Sequence, residues 1–238
     1  MRGLLIALLV AGCGVAGCGD TGQPAVEHRA VATGVAPHAI ELGDYRVTLE
    51  QARVGFGPAV FCASRAASND QCPSALAELA VATQIDALSP TPQPLGTVNG
   101  FTGTVRSAGF EYAITWLSHQ STPVAARASL SGHSAHLEGT ATHRTSGASF
   151  RFVADVDVVP LTRGEHAVSV SELNAPLDNG TRSLTVRIDP TNWLGQVDFA
   201  ELAALATPTV TIAPGSRAHN ALVIGMTSLA PPQFAWSR

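Results

Sequence analysis

From Tyr45 onward the chain alternates apolar and polar residues at period two, the pattern of strands with one buried face. Tyr45, Val47 and Leu49 share one face, with Arg46, Thr48 and Glu50 opposite. The apolar parity then moves to Ala52, Val54 and Phe56, which predicts a bulge near Gln51. Phe110, Tyr112, Ile114 and Trp116 mark another strand face; Leu184, Val186 and Ile188 mark a third, ending at Asp189-Pro190. Phe234 and Trp236 predict a last strand. Helical signals are short. Pro73 opens SALAELAVA, a predicted two-turn helix with proline at its first position. Asp198 and Glu201 form a D-x-x-E start before LAALA. Ser216 is placed to cap RAHNALVIGM, whose end reads equally well as a strand. Roughly eight to ten short strands with Gly and Pro turns predict an all-β domain, a mostly antiparallel β-sandwich or barrel-like fold with few short helices.

The stretch from Ser134 to Val158 is the most informative. Folded as a hairpin turning at Arg144-Thr145-Ser146-Gly147, it places His136 opposite Asp155, Glu138 opposite Val153 and Thr140 opposite Arg151. On the reverse face Leu137 meets Ala154, Gly139 meets Phe152 and Ala141 meets Phe150. One register sorts both strands into an apolar and a polar face, so the two strands predict each other.

Composition narrows the function classes. Charged residues are 13% and aromatics 5%, with 22 Gly and 15 Pro, which excludes a coiled coil and a charged disordered tail. All 14 basic residues are arginine. A chain without lysine cannot run Walker A phosphate binding, protein-kinase catalysis, Schiff-base chemistry or a Ser-Lys hydrolase. The net charge of −4 argues against a nucleic-acid partner.

The first residues read as an address. Met1-Arg2 is a short positive region, followed by the apolar, uncharged run GLLIALLVAGCGV, too short to span a bilayer but suited to a signal peptide. It ends in Val15-Ala16-Gly17-Cys18. These residues resemble the lipobox of bacterial lipoprotein precursors, and a second copy, Val10-Ala11-Gly12-Cys13, would leave too short an apolar run. The resemblance covers residues 1–18 and implies cleavage before Cys18, a lipid on its sulfur and anchoring in the cell envelope. Gly19 after the cysteine implies the outer membrane in a Gram-negative cell. Gly12-Cys13-Gly14-Val15-Ala16-Gly17 matches a dinucleotide fingerprint but opens no helix in a βαβ unit, so it carries no cofactor. The organisation expected is a signal peptide over 1–17, a lipidated cysteine and flexible tether over 18–39, and one β-rich domain over 40–238.

Cys62 and Cys72 are then the cysteines left in the exported chain, and an oxidising compartment predicts a disulfide between them. The polar face of the hairpin gathers His136, Glu138, Asp155 and Asp157, which at strand spacing could hold a divalent metal or a polar ligand. His133 and His143 do not converge with His136, because His143 faces the other way and His133 precedes the strand. His28, His38, His119, His166 and His219 are scattered and read as surface residues. Gly132-His133-Ser134-Ala135-His136 lacks the fifth-position glycine of a nucleophile elbow and leads into a strand. Pro214-Gly215-Ser216-Arg217 reads as a turn and helix cap. No pattern specifies a catalytic residue. The expected function is a non-catalytic envelope lipoprotein that binds a small ligand or an envelope protein, needs no cofactor and meets the membrane through its lipid. The alternatives are a metal-binding lipoprotein using the hairpin face and an enzyme whose site the sequence does not mark.

Overall fold

The computed structural model describes residues 22–65, 72, 75–170 and 173–238. Cys18 and the lipobox lie outside the described residues. The strands, in chain order, are β1 Ala25–Thr33, β2 Ala39–Leu42, β3 Tyr45–Phe56, β4 Ala59–Cys62, β5 Ala75–Leu79, β6 Thr83–Asp86, β7 Gln93–Phe101, β8 Gly103–Val105 and β9 Ser107–Phe110. They continue as β10 Ile114–Thr115, β11 Val124–Ala125, β12 Ala135–His143, β13 Ser149–Val156, β14 Val168–Val170, β15 Ala175–Leu177, β16 Ser183–Arg187, β17 Thr209–Ile212 and β18 Gln233–Ser237. Among the described residues two short α-helices, α1 Phe199–Ala203 and α2 Arg217–Ile224, and a 3-10 helix over Pro190–Gln196 complete the fold. It is all-β and mostly antiparallel, as expected. Among the described residues no helix is long and apolar enough to cross a membrane.

The strands form two main sheets around one core. An eight-stranded sheet runs β14-β9-β4-β5-β7-β1-β16-β18. It curls so that Phe61 of β4 meets Trp236 of β18 with ring centroids 5.2 Å apart, and Phe110 of β9 meets Phe234 at 5.6 Å. The second sheet runs β17-β13-β12-β3-β2, with β6 also paired to β3. Its apolar face packs on the helical segments, where Phe152 meets Phe199 at 5.4 Å.

The hairpin has the predicted register: His136 opposes Asp155, Leu137 opposes Ala154 and Gly139 opposes Phe152. The bulge is also present. Gly139 of β12 opposes Leu49 and Glu138 opposes Gln51, so Glu50 is the extra residue. A Cβ on Gly139 would come within 2.5 Å of the Phe152 ring and of the Thr48 carbonyl oxygen, so the close packing there admits only glycine. Asp198 caps α1 by accepting from the Ala200 and Glu201 N–H groups. Ser216 caps α2 through the His219 N–H, and the ambiguous ALVIGM resolves as helix continuing into a wider turn over Gly225–Leu229.

Three expectations are corrected. The ordered domain does not begin near residue 40: β1, inside the stretch read as tether, is hydrogen-bonded between β7 and β16 with Ala30 and Ala32 fully buried. The sequence hid it because its inward residues (Val26, His28, Ala30, Ala32) include a polar histidine and two alanines, which read as a linker. SALAELAVA is not a helix: Ala75–Leu79 is β5, paired to β4 and β7. Its Leu76, Ala77 and Leu79 are buried, so pairing to two neighbours overrides helix propensity. The face from Phe110 to Trp116 is not one strand. It breaks at Ala113, with φ of 58°, and Glu111 and Ala113 are as buried as the aromatics they alternate with. Cys62 and Cys72 form the expected disulfide with Cα atoms 5.9 Å apart.

Candidate functional site

The polar face of the hairpin brings three of the four predicted site residues together. His136 Nδ1 lies 2.7 Å from Asp155 Oδ1, and its Nε2 lies 3.0 Å from Glu138 Oε1. Burial lowers the His136 pKa, but the hydrogen bonds it donates to Asp155 and Glu138 and the charges of both outweigh burial and raise the value above the ordinary 6.5. The imidazolium is therefore favoured, with both N–H groups donating. Glu138 also accepts from Arg151 at 3.1 Å, and Arg151 reaches Glu50 at 3.7 Å. Thr140 donates to the same Glu50. The arrangement is a row of alternating charge along the sheet, half-exposed and internally satisfied.

Asp157 does not join that row. It pairs instead with His133, Nδ1 to Oδ1 at 2.8 Å. His133 precedes the strand, but a sharp turn at Ser131 and Gly132, both with positive φ, carries it back over the end of β13. His143 faces elsewhere, stacking edge-on against Tyr45 at 5.2 Å. A metal on this face would have to displace a carboxylate from a ring nitrogen. Among the described residues no group of three or more His, Cys, Asp or Glu side chains is arranged to hold a metal ion. Ser134 of the elbow-like motif is fully buried, its hydroxyl accepting from the Val158 N–H at 3.0 Å.

Beyond the end of β13 the chain borders a cleft. Asp157 forms part of the wall of an open cavity of about 820 Å³ between the segment Val158, Val159 and Leu161, strand β14, and the outer side of α2. Valines 158, 168, 170 and 223 make the cleft largely apolar, while Asn220, Thr227 and Ser228 add polar groups on the helix side. His219 lies in the cleft wall, 7% exposed, and neither ring nitrogen meets a hydrogen-bond partner in the protein. A buried imidazole without partners is costly, and such groups mark places where a ligand or solvent completes the hydrogen bonding.

Behind β14 lies a second pair that the sequence did not signal. Glu111, 4% exposed, accepts from His166 Nδ1 at 3.0 Å and from the Ala167 N–H at 2.9 Å. A Cβ at Gly109 would stand 2.1 Å from the His166 ring, so glycine there lets the imidazole close over β9. The pair ties the chain entering β14 to the sheet, which fixes one wall of the cleft. Tyr112, fully buried, donates its hydroxyl to the Met226 carbonyl oxygen at 3.0 Å, and burial pushes its pKa well above the usual value. That bond anchors the turn after α2, the opposite wall. Of the histidines read as surface residues, His28, His166 and His219 are buried or nearly so, while His38 and His119 are exposed. Nothing in their neighbours' periodicity distinguished the two groups.

No family model matches the chain, and no curated protein matches it. Among solved structures it is similar to MbnP from Methylosinus trichosporium, at 13% sequence identity and a TM-score of 0.38, over 85% of this chain and 87% of that one. A likeness of that degree carries no argument about function.

Proposed function

We propose that this chain is an exported lipoprotein, held in the cell envelope by lipid on Cys18, whose β domain binds a small, largely apolar ligand without turning it over. The observation that supports it is the cleft beside β14: its volume of about 820 Å³ is that of a small-molecule site, and it combines valine walls with the unpartnered His219. An apolar body would occupy the valine side, against the His219 ring, with a hydrogen-bonding head toward Asn220 and Asp157. The hydroxyls traced near the site are engaged structurally: Ser134 with Val158, and Thr227 with the Val223 carbonyl oxygen at 2.8 Å. That favours binding over nucleophilic chemistry.

The test uses the neutral apolar fluorophore N-phenyl-1-naphthylamine with the purified protein. Binding should raise its fluorescence, and Val223→Trp, which fills the cleft from a half-buried position, should abolish the rise while the protein stays folded. No enhancement, or equal enhancement in the variant, rejects the cleft as the site.

A further inference from the structure

We propose that the end of the large sheet at which β1 begins docks on the anionic headgroups of the membrane. The inference rests on the proposed lipid at Cys18 and goes beyond it by assigning a face of the domain. Seven residue steps separate Cys18 from Ala25, the first residue of β1, and at full extension they reach about 25 Å. A lipid at Cys18 thus keeps this end of the domain within about 25 Å of the membrane surface.

The residues gathered there suit such a surface. Phe101 pairs with Ala25 across the strands and is 47% exposed, and the next residue, Thr102, donates its N–H to the Pro24 carbonyl oxygen at 2.9 Å. Arg106 lies between β8 and β9, its N–H bonded to the Cys62 carbonyl oxygen. Ser107 donates to the Ser64 carbonyl oxygen, which places Arg65 beside it. Pairing of Leu177 with Gly103 brings Asp178 to the same end, and Arg238 pairs with Asp178 at 3.5 Å. Arg182 follows through its N–H bond to the Ser237 carbonyl oxygen. All four arginines are exposed. In a chain of net charge −4, four arginines with an exposed phenylalanine collect where the tether leaves. The described carboxylates nearest this end are fewer than the arginines: Asp178, paired with Arg238, and Glu27 and Glu78, which flank Asn99 from either side. Guanidinium groups within a Debye length of an anionic surface are attracted to it, and an aromatic ring partitions into the interface.

Arginine footprinting of the wild-type lipoprotein reads this directly. The protein extracted from membranes is reconstituted in vesicles of phosphatidylglycerol and phosphatidylethanolamine, labelled with phenylglyoxal and digested for mass spectrometry. A second sample is labelled in neutral detergent and a third in phosphatidylcholine vesicles. Arg65, Arg106, Arg182 and Arg238 should label roughly fivefold less in the anionic vesicles than in either other sample. Arg53 and Arg163, exposed elsewhere, should label equally in all three. The same digest reports on Cys18. A lipidated Cys18 with no protection of the four arginines, or with equal protection on phosphatidylcholine, overturns the docking surface and leaves the lipoprotein reading intact. An unmodified Cys18 overturns both.

Discussion

His136 shows how three residues two apart or directly opposite on a hairpin make a charge site with a defined proton. Its imidazolium is bracketed by Asp155 and Glu138, so its pKa is raised in the folded protein. A raised folded value means that the pair's contribution is fully present below the unfolded value of 6.5 and is lost as pH rises through the folded value. Wild type should therefore lose urea stability as pH rises above 6.5, relative to a His136→Gln variant that carries no proton there. The direct check is the NMR titration of the His136 ring; a midpoint at or below 6.5 would show that the carboxylates do not outweigh burial. His219 is the contrasting case. It is more buried than His136, and its ring nitrogens meet no hydrogen-bond partner. Only the fold separates the two roles, because both histidines sit among small and polar neighbours in the sequence.

Strand periodicity was legible where one face is buried and the other solvated. The β12–β13 hairpin and the Glu50 bulge follow from alternation alone, because a one-residue slip would turn Leu137, Phe150 and Phe152 outward. Alternation failed where both faces are covered. Glu111 falls on the polar parity of its segment yet is buried, because the chain entering β14 lies over it and supplies His166 and the Ala167 N–H as partners. The β4–β5 connection departs from the helix expected there for a related reason: helix propensity in ALAEL is local, whereas pairing to β4 and β7 is not. The disulfide from the end of β4 to the chain entering β5 closes this connection. Replacing Cys62 and Cys72 together by serine should lower stability by about 3 kcal/mol in the chain-entropy account of so short a loop. Equilibrium unfolding in urea measures it, and an unchanged midpoint would mean that the strand pairs alone define the connection.

On the scale of the whole molecule, the eight-stranded sheet depends on a strand from its far N-terminal edge in sequence. β1 pairs with β16 in parallel and with β7 antiparallel, so it joins the first and last thirds of the domain. A chain beginning at residue 22 contains every contact described above. Shortening it to begin at residue 34 should abolish cooperative unfolding, because the edges of β7 and β16 would both lose their partner. Circular dichroism and thermal melting compare the two; a cooperative melt of the shorter chain would restore the view that residues up to 39 are only a tether.

The sequence by itself determined the all-β class, the hairpin register, the short capped helices, the Cys62–Cys72 pair and the grouping of His136 with Glu138 and Asp155. Each rests on contacts between residues near in sequence, or on a solvated face that leaves polar residues visible. The tertiary structure decided what depends on distant segments: the entry of β1 into the large sheet, the pairing of Asp157 with His133, the burial of Glu111 against His166, and the cleft that α2 closes against β14. Those features arise where two covered faces meet, and covering a face erases the polar alternation by which a sequence announces its structure.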